Sequence, residues 1–122
     1  MTTCQPIGLK VHATLDVAFA VAALAAPWVL GYADLRAATL YTVAVALLGF
    51  GLNLITDYPA GVLKILPFKW HRVVEWFSPP PFIIVPWVFF ADARAMPWLL
   101  SAIGIAIVLN ASLTRPVQTR PA

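Results

Sequence analysis

Long apolar stretches, broken at intervals by short polar ones, dominate the chain. A helix rises 1.5 Å per residue, so crossing a hydrocarbon layer about 30 Å thick takes about 20 residues. Four stretches come near that length: about Val11 to Leu30, about Ala37 to Thr56, about Trp70 to Phe90, and about Met96 to Leu113. The connections between them are GYADLR, the longer DYPAGVLKILPFK, and ADARA. The pattern predicts an all-α fold, a bundle of four transmembrane helices in one integral membrane domain spanning residues 1–122.

Composition strengthens that reading. Hydrophobic residues make up 61% of the chain and charged residues 11%, well outside the usage of soluble domains. Lys10, Lys64, Lys69, Arg72, Arg115 and Arg120 fall on the face that carries both termini and the long connection, whereas Arg36 and Arg94 fall on the other. The positive-inside rule then predicts cytoplasmic termini in a cell inner membrane. Trp28, Tyr32, Tyr41, Trp87 and Trp98 sit near the outer ends of the spans, where amphipathic rings favour the interface. The basic residues form no stripe with stacking aromatics, so no nucleic-acid partner is expected. Cys4 is the sole cysteine and is read as an inert thiol. A cleaved signal peptide ending at the ALAA run of residues 23 to 26 is the rival reading of the first span. Asp16 within the apolar run, and the recurrence described next, argue against it.

Residues 9 to 28 (LKVHATLDVAFAVAALAAPW) and 68 to 87 (FKWHRVVEWFSPPPFIIVPW) align at one offset of 59. Lys10 meets Lys69, His12 meets His71, Asp16 meets Glu75, and Pro27-Trp28 meets Pro86-Trp87. Downstream, LNLITDYP at 52 to 59 echoes NASLTRP at 110 to 116. The expectation is two parallel copies of a helical hairpin, about 7–58 and about 67–116, related by a pseudo-two-fold axis along the membrane normal. The paired hairpins with Pro-Trp near the end of the first span, together with the linker TDYPAGVLKILPFKWH, resemble the SPW repeat family of small bacterial integral membrane proteins, as a two-copy member. Ala26 and Val85 stand where that family's serine would be. The resemblance implies a membrane location and a two-helix repeat, and no activity.

Candidate chemistry is sparse. His12 with Asp16, and His71 with Glu75, are each four residues apart and so share a helix face. If the pseudo-two-fold axis brings them together, two imidazoles and two carboxylates form a set suited to Zn, Fe or Mn. The plainer reading is local pairing within each helix, so no metal, cofactor or catalytic residue is assigned. Asn53, Thr56, Asn110, Ser112 and Thr114 add polar groups at the same end. Ala18, Ala22 and Ala26, like Ala102 and Ala106, recur every fourth position and are expected to pack against neighbouring helices.

Pro79, Pro80 and Pro81 align with the middle of the first span. They predict a break near Ser78 to Pro81, with Pro81 starting the outer half and the carbonyls of Glu75, Trp76 and Phe77 left without their usual partners. The leading functional expectation is a non-enzymatic membrane protein acting by helix association, as an accessory or assembly subunit or a homo-oligomer. The alternatives are a small proton- or cation-coupled transporter using Asp16 and Glu75, and a membrane metal site.

Overall fold

A computed structural model describes residues 5–115. Cys4, Arg120 and the last residue of the second repeat, Pro116, lie outside the described residues. Among those described, the chain is helical with no strand beyond two isolated bridges. The elements are α1 (Leu9–Val29), α2 (Arg36–Ile55), α3 (Phe68–Trp76), a π-helical turn (Pro80–Ile84) running into α4 (Val85–Phe89), and α5 (Met96–Leu113). Helices α1, α2 and α5 are long and apolar enough to cross a membrane.

The segment expected as a third span, broken or kinked at Pro79–Pro81, is broken: its longest helical piece is an apolar run of ten residues, Pro80–Phe89. Helix α3 stops at Trp76, with Phe77 as its C-cap. The break thus falls at Phe77 and Ser78, and all three prolines enter the first turn of the outer piece. A missing N–H costs nothing there. The first donor after them, Phe82 N–H, reaches the Ser78 carbonyl at 3.1 Å, and Val85 N–H reaches back five residues to Pro80.

Of the three carbonyls expected to lose their partners, that of Glu75 is satisfied locally. Ser78 donates to it from both its N–H, at 3.1 Å, and its hydroxyl, at 2.6 Å. Tyr41 on α2 donates its hydroxyl to the Pro81 carbonyl at 2.5 Å. Side-chain hydroxyls thus take up two of the carbonyls at the break, those of Glu75 and Pro81.

Helix α1 packs against both α2 and α5, and α5 packs in turn against α3, the π turn and α4. The buried face of α1 is His12, Ala13, Asp16, Ala20, Ala23, Ala26 and Pro27, one or two residues per turn on a single side of the helix, as the 3.6-residue turn requires. Of the alanines expected to pack, Ala26 is buried and Ala106 half-buried, whereas Ala18, Ala22 and Ala102 are exposed, because strict four-residue spacing drifts off the buried face. Pro27 and Pro86 are both fully buried while Trp28 and Trp87 stay exposed. Tyr32 is not an interfacial ring; it is wholly buried and hydrogen-bonds Thr42 at 3.0 Å. On the opposite end from the termini, Arg94 forks onto Asp34 at 2.6 and 3.1 Å and donates to the Gly31 carbonyl, tying the two short turns together.

The long linker folds back onto the end of α2. Val62 and Leu63 N–H groups take the Leu54 carbonyl, and Ile65 and Leu66 take that of Ile55. Gly61 lies so close to the α2 terminus that a Cβ there would sit 1.7 Å from the Thr56 carbonyl oxygen. This closure holds Tyr58 inward.

Candidate metal centre

Asp16 lies about 10 Å along α1 from its first residue, deep enough that an unpaired carboxylate would be costly. What meets it there is the other His-acid pair. His12, Asp16, His71 and Glu75 are all buried, and one ligand atom from each lies within 4.8 Å of the other three. His12 Nε2 is 3.2 Å from both Asp16 Oδ2 and Glu75 Oε1, and His71 Nε2 is 3.1 and 3.3 Å from the same two oxygens. Nitrogen and oxygen therefore alternate around a common centre. Metal bonds of 2.0–2.1 Å in a tetrahedron place ligand atoms about 3.3 Å apart along all six edges; the four nitrogen–oxygen separations are close to that, and the other two pairs lie within 4.8 Å.

The two rings are held alike. Thr56 Oγ1 donates to the Leu52 carbonyl at 2.6 Å and lies 2.8 Å from His71 Nδ1. Thr114 Oγ1 donates to the Asn110 carbonyl at 2.5 Å and lies 2.6 Å from His12 Nδ1. Each threonine has spent its proton on its own helix, so it accepts from Nδ1–H, and Nε2 is left facing the centre. Hydrogen bonding at the far nitrogen is how metal-binding histidines are oriented. The backbone repeats the arrangement: Ile7 bridges Thr114 and Leu66 bridges Thr56, both in parallel.

The acids are not alike. Asp16 Oδ1 accepts from Asn110 Nδ2 at 3.1 Å, and Oδ2 accepts from the Tyr58 hydroxyl at 3.1 Å and lies in line with His71 Nε2. Burial, and then the nearby Asp16 charge, push the Tyr58 phenol well above its ordinary pKa, so it stays a donor. Glu75 Oε2, by contrast, is buried with no partner, and His12 Nε2 is aligned on neither oxygen beside it. Among the described residues no Lys or Arg pairs with either acid. The two buried carboxyl groups must be neutralised at the centre itself, by protons on the carboxyl groups or on the imidazoles, or by a divalent cation.

Toward the termini the centre is closed by Tyr58 and Phe68, both nearly inaccessible, with Phe68 edge-on to His12 at 5.0 Å. On the other side, Asp16, His71 and Glu75 line a cavity of 710 Å³ between α2 and the broken segment.

No protein-family model, curated protein or solved structure matches the chain. What the centre does rests on its own geometry.

The four residues of the candidate ligand set, His12, Asp16, His71 and Glu75, thus meet in one place. Thr56, Thr114 and Asn110 were visible there only as polar residues near span ends; their partners depend on how the helices pack. Asn53 is buried on the cavity wall, and Ser112 bonds only the Val108 carbonyl of its own helix. Tyr58 gave no signal, since a linker tyrosine reads as interfacial, and Ser78 was hidden by the prolines that follow it.

Proposed function

We propose that the protein is a small integral membrane protein that binds a divalent first-row transition metal through His12 Nε2, His71 Nε2, Asp16 and Glu75. The observation that carries this reading is the alternating nitrogen and oxygen ring with edges of 3.1 to 3.3 Å and both imidazoles pinned at Nδ1. A proton on Nε2 can point at one oxygen only, whereas a cation at the centre serves all four atoms and cancels both charges. Two imidazoles and two carboxylates suit Zn²⁺, Fe²⁺ or Mn²⁺.

This reading includes four crossings, with residues 68–89 as the broken third, which would reach about 33 Å if helical throughout. It includes two hairpin repeats, as the resemblance to the SPW repeat family implies, and a cytoplasmic face carrying both termini. The matched threonine contacts and bridges support the repeat. The expectation of an accessory subunit with no chemistry of its own rests on composition, and the converged centre moves the reading from association to metal binding. A second reading, proton transfer by Asp16 and Glu75, draws on the alignment of His71 Nε2 with Asp16 Oδ2.

Elemental analysis of the full chain purified in mild detergent tests the choice. About one metal per chain is expected, lost in Asp16→Asn and in His71→Ala. A metal-free protein that takes up no Zn²⁺, Mn²⁺ or Fe²⁺ on titration sinks the metal reading and favours proton transfer.

A further inference from the structure

Helix α3 buries only Phe68, His71 and Glu75. Two of these belong to the four-residue centre, and the third is the ring that closes it toward the termini. Lys69, Trp70, Val73, Val74 and Trp76 are all exposed. Most helices are fixed in place by packing an apolar face, as α1 is by Ala13, Ala20, Ala23 and Ala26. The buried face of α3 is the centre itself.

Outside the centre, α3 is tied to other elements by two polar contacts among the described residues: Arg72 donates to the Ala111 carbonyl at 2.8 Å, and His71 Nδ1 meets Thr56. Its packing against another helix is chiefly with α5. Toward α2 it borders the cavity through Val74, Glu75, Phe77 and Ser78, so open space faces it there. Both of its ends are joints. Pro67 caps the start in an extended conformation, with the linker before it. At the other end Pro79, Pro80 and Pro81 have no N–H, and the first backbone bond from the outer piece, made by Phe82, reaches only to Ser78.

Docking α3 leaves Glu75 Oε2 and His12 Nε2 buried without a hydrogen-bond partner, a desolvation cost that no other group of the protein offsets. A divalent cation offsets it by joining His71 and Glu75 of α3 to His12 and Asp16 of α1. We propose that α3 is a metal-responsive element, docked against α1 and α5 by a cation at the centre and released about its two joints when the cation leaves. This rests on the metal reading and adds regulation to it, because occupancy then sets the position of a helix whose exposed Lys69 and Trp70 lie beside the long linker.

Hydrogen exchange read by mass spectrometry on the full chain in detergent tests this. One sample is stripped with a chelator, and others are held at free Zn²⁺ about 10 and about 100 times its measured Kd; Zn²⁺ is the probe because nitrogen and oxygen sites bind it more tightly than Mn²⁺ or Fe²⁺. A ligand opposes an opening that breaks its site by the factor 1 + [L]/Kd, so exchange of the Arg72 to Trp76 amides should slow about 10-fold and about 100-fold, while amides in the middle of α2 and α5 change less than about twofold. Spin labels at Trp70→Cys and Leu47→Cys, both exposed, on a Cys4→Ser background should give a broad distance distribution in the stripped protein that narrows on adding Zn²⁺. Zn²⁺-binding protein whose α3 exchanges equally in both states, or whose slowing is shared equally by α2 and α5, overturns the release and leaves the metal reading standing. A narrow distance distribution that Zn²⁺ does not alter overturns the release as well, even where exchange slows. A protein that takes up none of Zn²⁺, Mn²⁺ or Fe²⁺ loses both readings at once.

Discussion

Replacing Thr56 or Thr114 by valine keeps the shape of the side chain and removes only the hydroxyl that accepts from a histidine Nδ1. Two independent routes give the size of the effect. Loss of an outer partner of a metal-binding histidine lowers affinity about 10- to 100-fold, equivalent to about 1.4–2.7 kcal/mol. A buried N–H left without an acceptor costs about 1–3 kcal/mol, and His12 and His71 are 0% and 1% exposed, so no water replaces the threonine. The two ranges overlap, so the orphaned Nδ1–H is large enough to account for the loss. Metal affinity measured by competition with a chromophoric chelator should therefore fall about 10- to 100-fold in each variant, and Thr→Ser at either site should restore most of it. Because the two contacts are matched at 2.6 and 2.8 Å, the two valine variants should weaken binding to a similar extent. Valine variants that bind metal as tightly as the parent would refute the orientation argument, and a large effect at one site with none at the other would refute the equivalence of the two halves.

Asp16→Asn places an amide where Asn110, Tyr58 and His71 all need an acceptor, and should destabilise the protein by about 3–5 kcal/mol in thermal unfolding, as loss of one partner from a buried charged pair does. Gly104→Ala and Gly51→Ala should have opposite signs. The first drives a Cβ to 2.7 Å from the Phe82 Cβ and should cost about 1–3 kcal/mol; the second meets open space and should gain up to about 1 kcal/mol of helix propensity, so equal midpoints in detergent would count against both. Gly61→Ala must push the Thr56 carbonyl away and with it the hydroxyl that orients His71, so it should lower metal affinity as well as stability; a loss of stability alone would uncouple the linker from the centre. In a spectrophotometric titration the Tyr58 phenol should remain protonated above the ordinary tyrosine range, and ionisation there at its usual pH would show that it is neither buried nor beside Asp16.

The helices were legible because a membrane span writes itself in composition and length: the end of α1 and both ends of α2 and α5 fall within about a residue of the pattern, within the ordinary uncertainty of helix ends. The centre was half legible. His12-Asp16 and His71-Glu75 stood out because recurrence at one offset is information that composition does not carry. Their partners did not stand out, since Thr56 and Thr114 reach His rings through a backbone crossover between the start of one hairpin and the end of the other, a relation with no local signature. Asn110 shows the limit of the repeat most clearly. It occupies the place that Leu52 takes in the other half, so the symmetry that finds the acids cannot say which one is satisfied. The break in the third segment followed from proline chemistry, while its repair by Ser78 and Tyr41 required knowing what packs beside it.

The contacts that complete the centre also order its construction. His71 finds Thr56 only 15 residues away, so that half can close as soon as α3 leaves the ribosome, whereas His12 waits for Thr114 across 102 residues and Asp16 for Asn110 across 94. Until α5 is in place, Asp16 lacks its amide and His12 lacks the threonine that fixes its ring. A nascent chain truncated before residue 110 would carry His12, Asp16, His71 and Glu75 but not the finished centre, so on the metal reading loading would follow synthesis, and quality control would have a late, single moment at which a faulty copy can be told from a finished one.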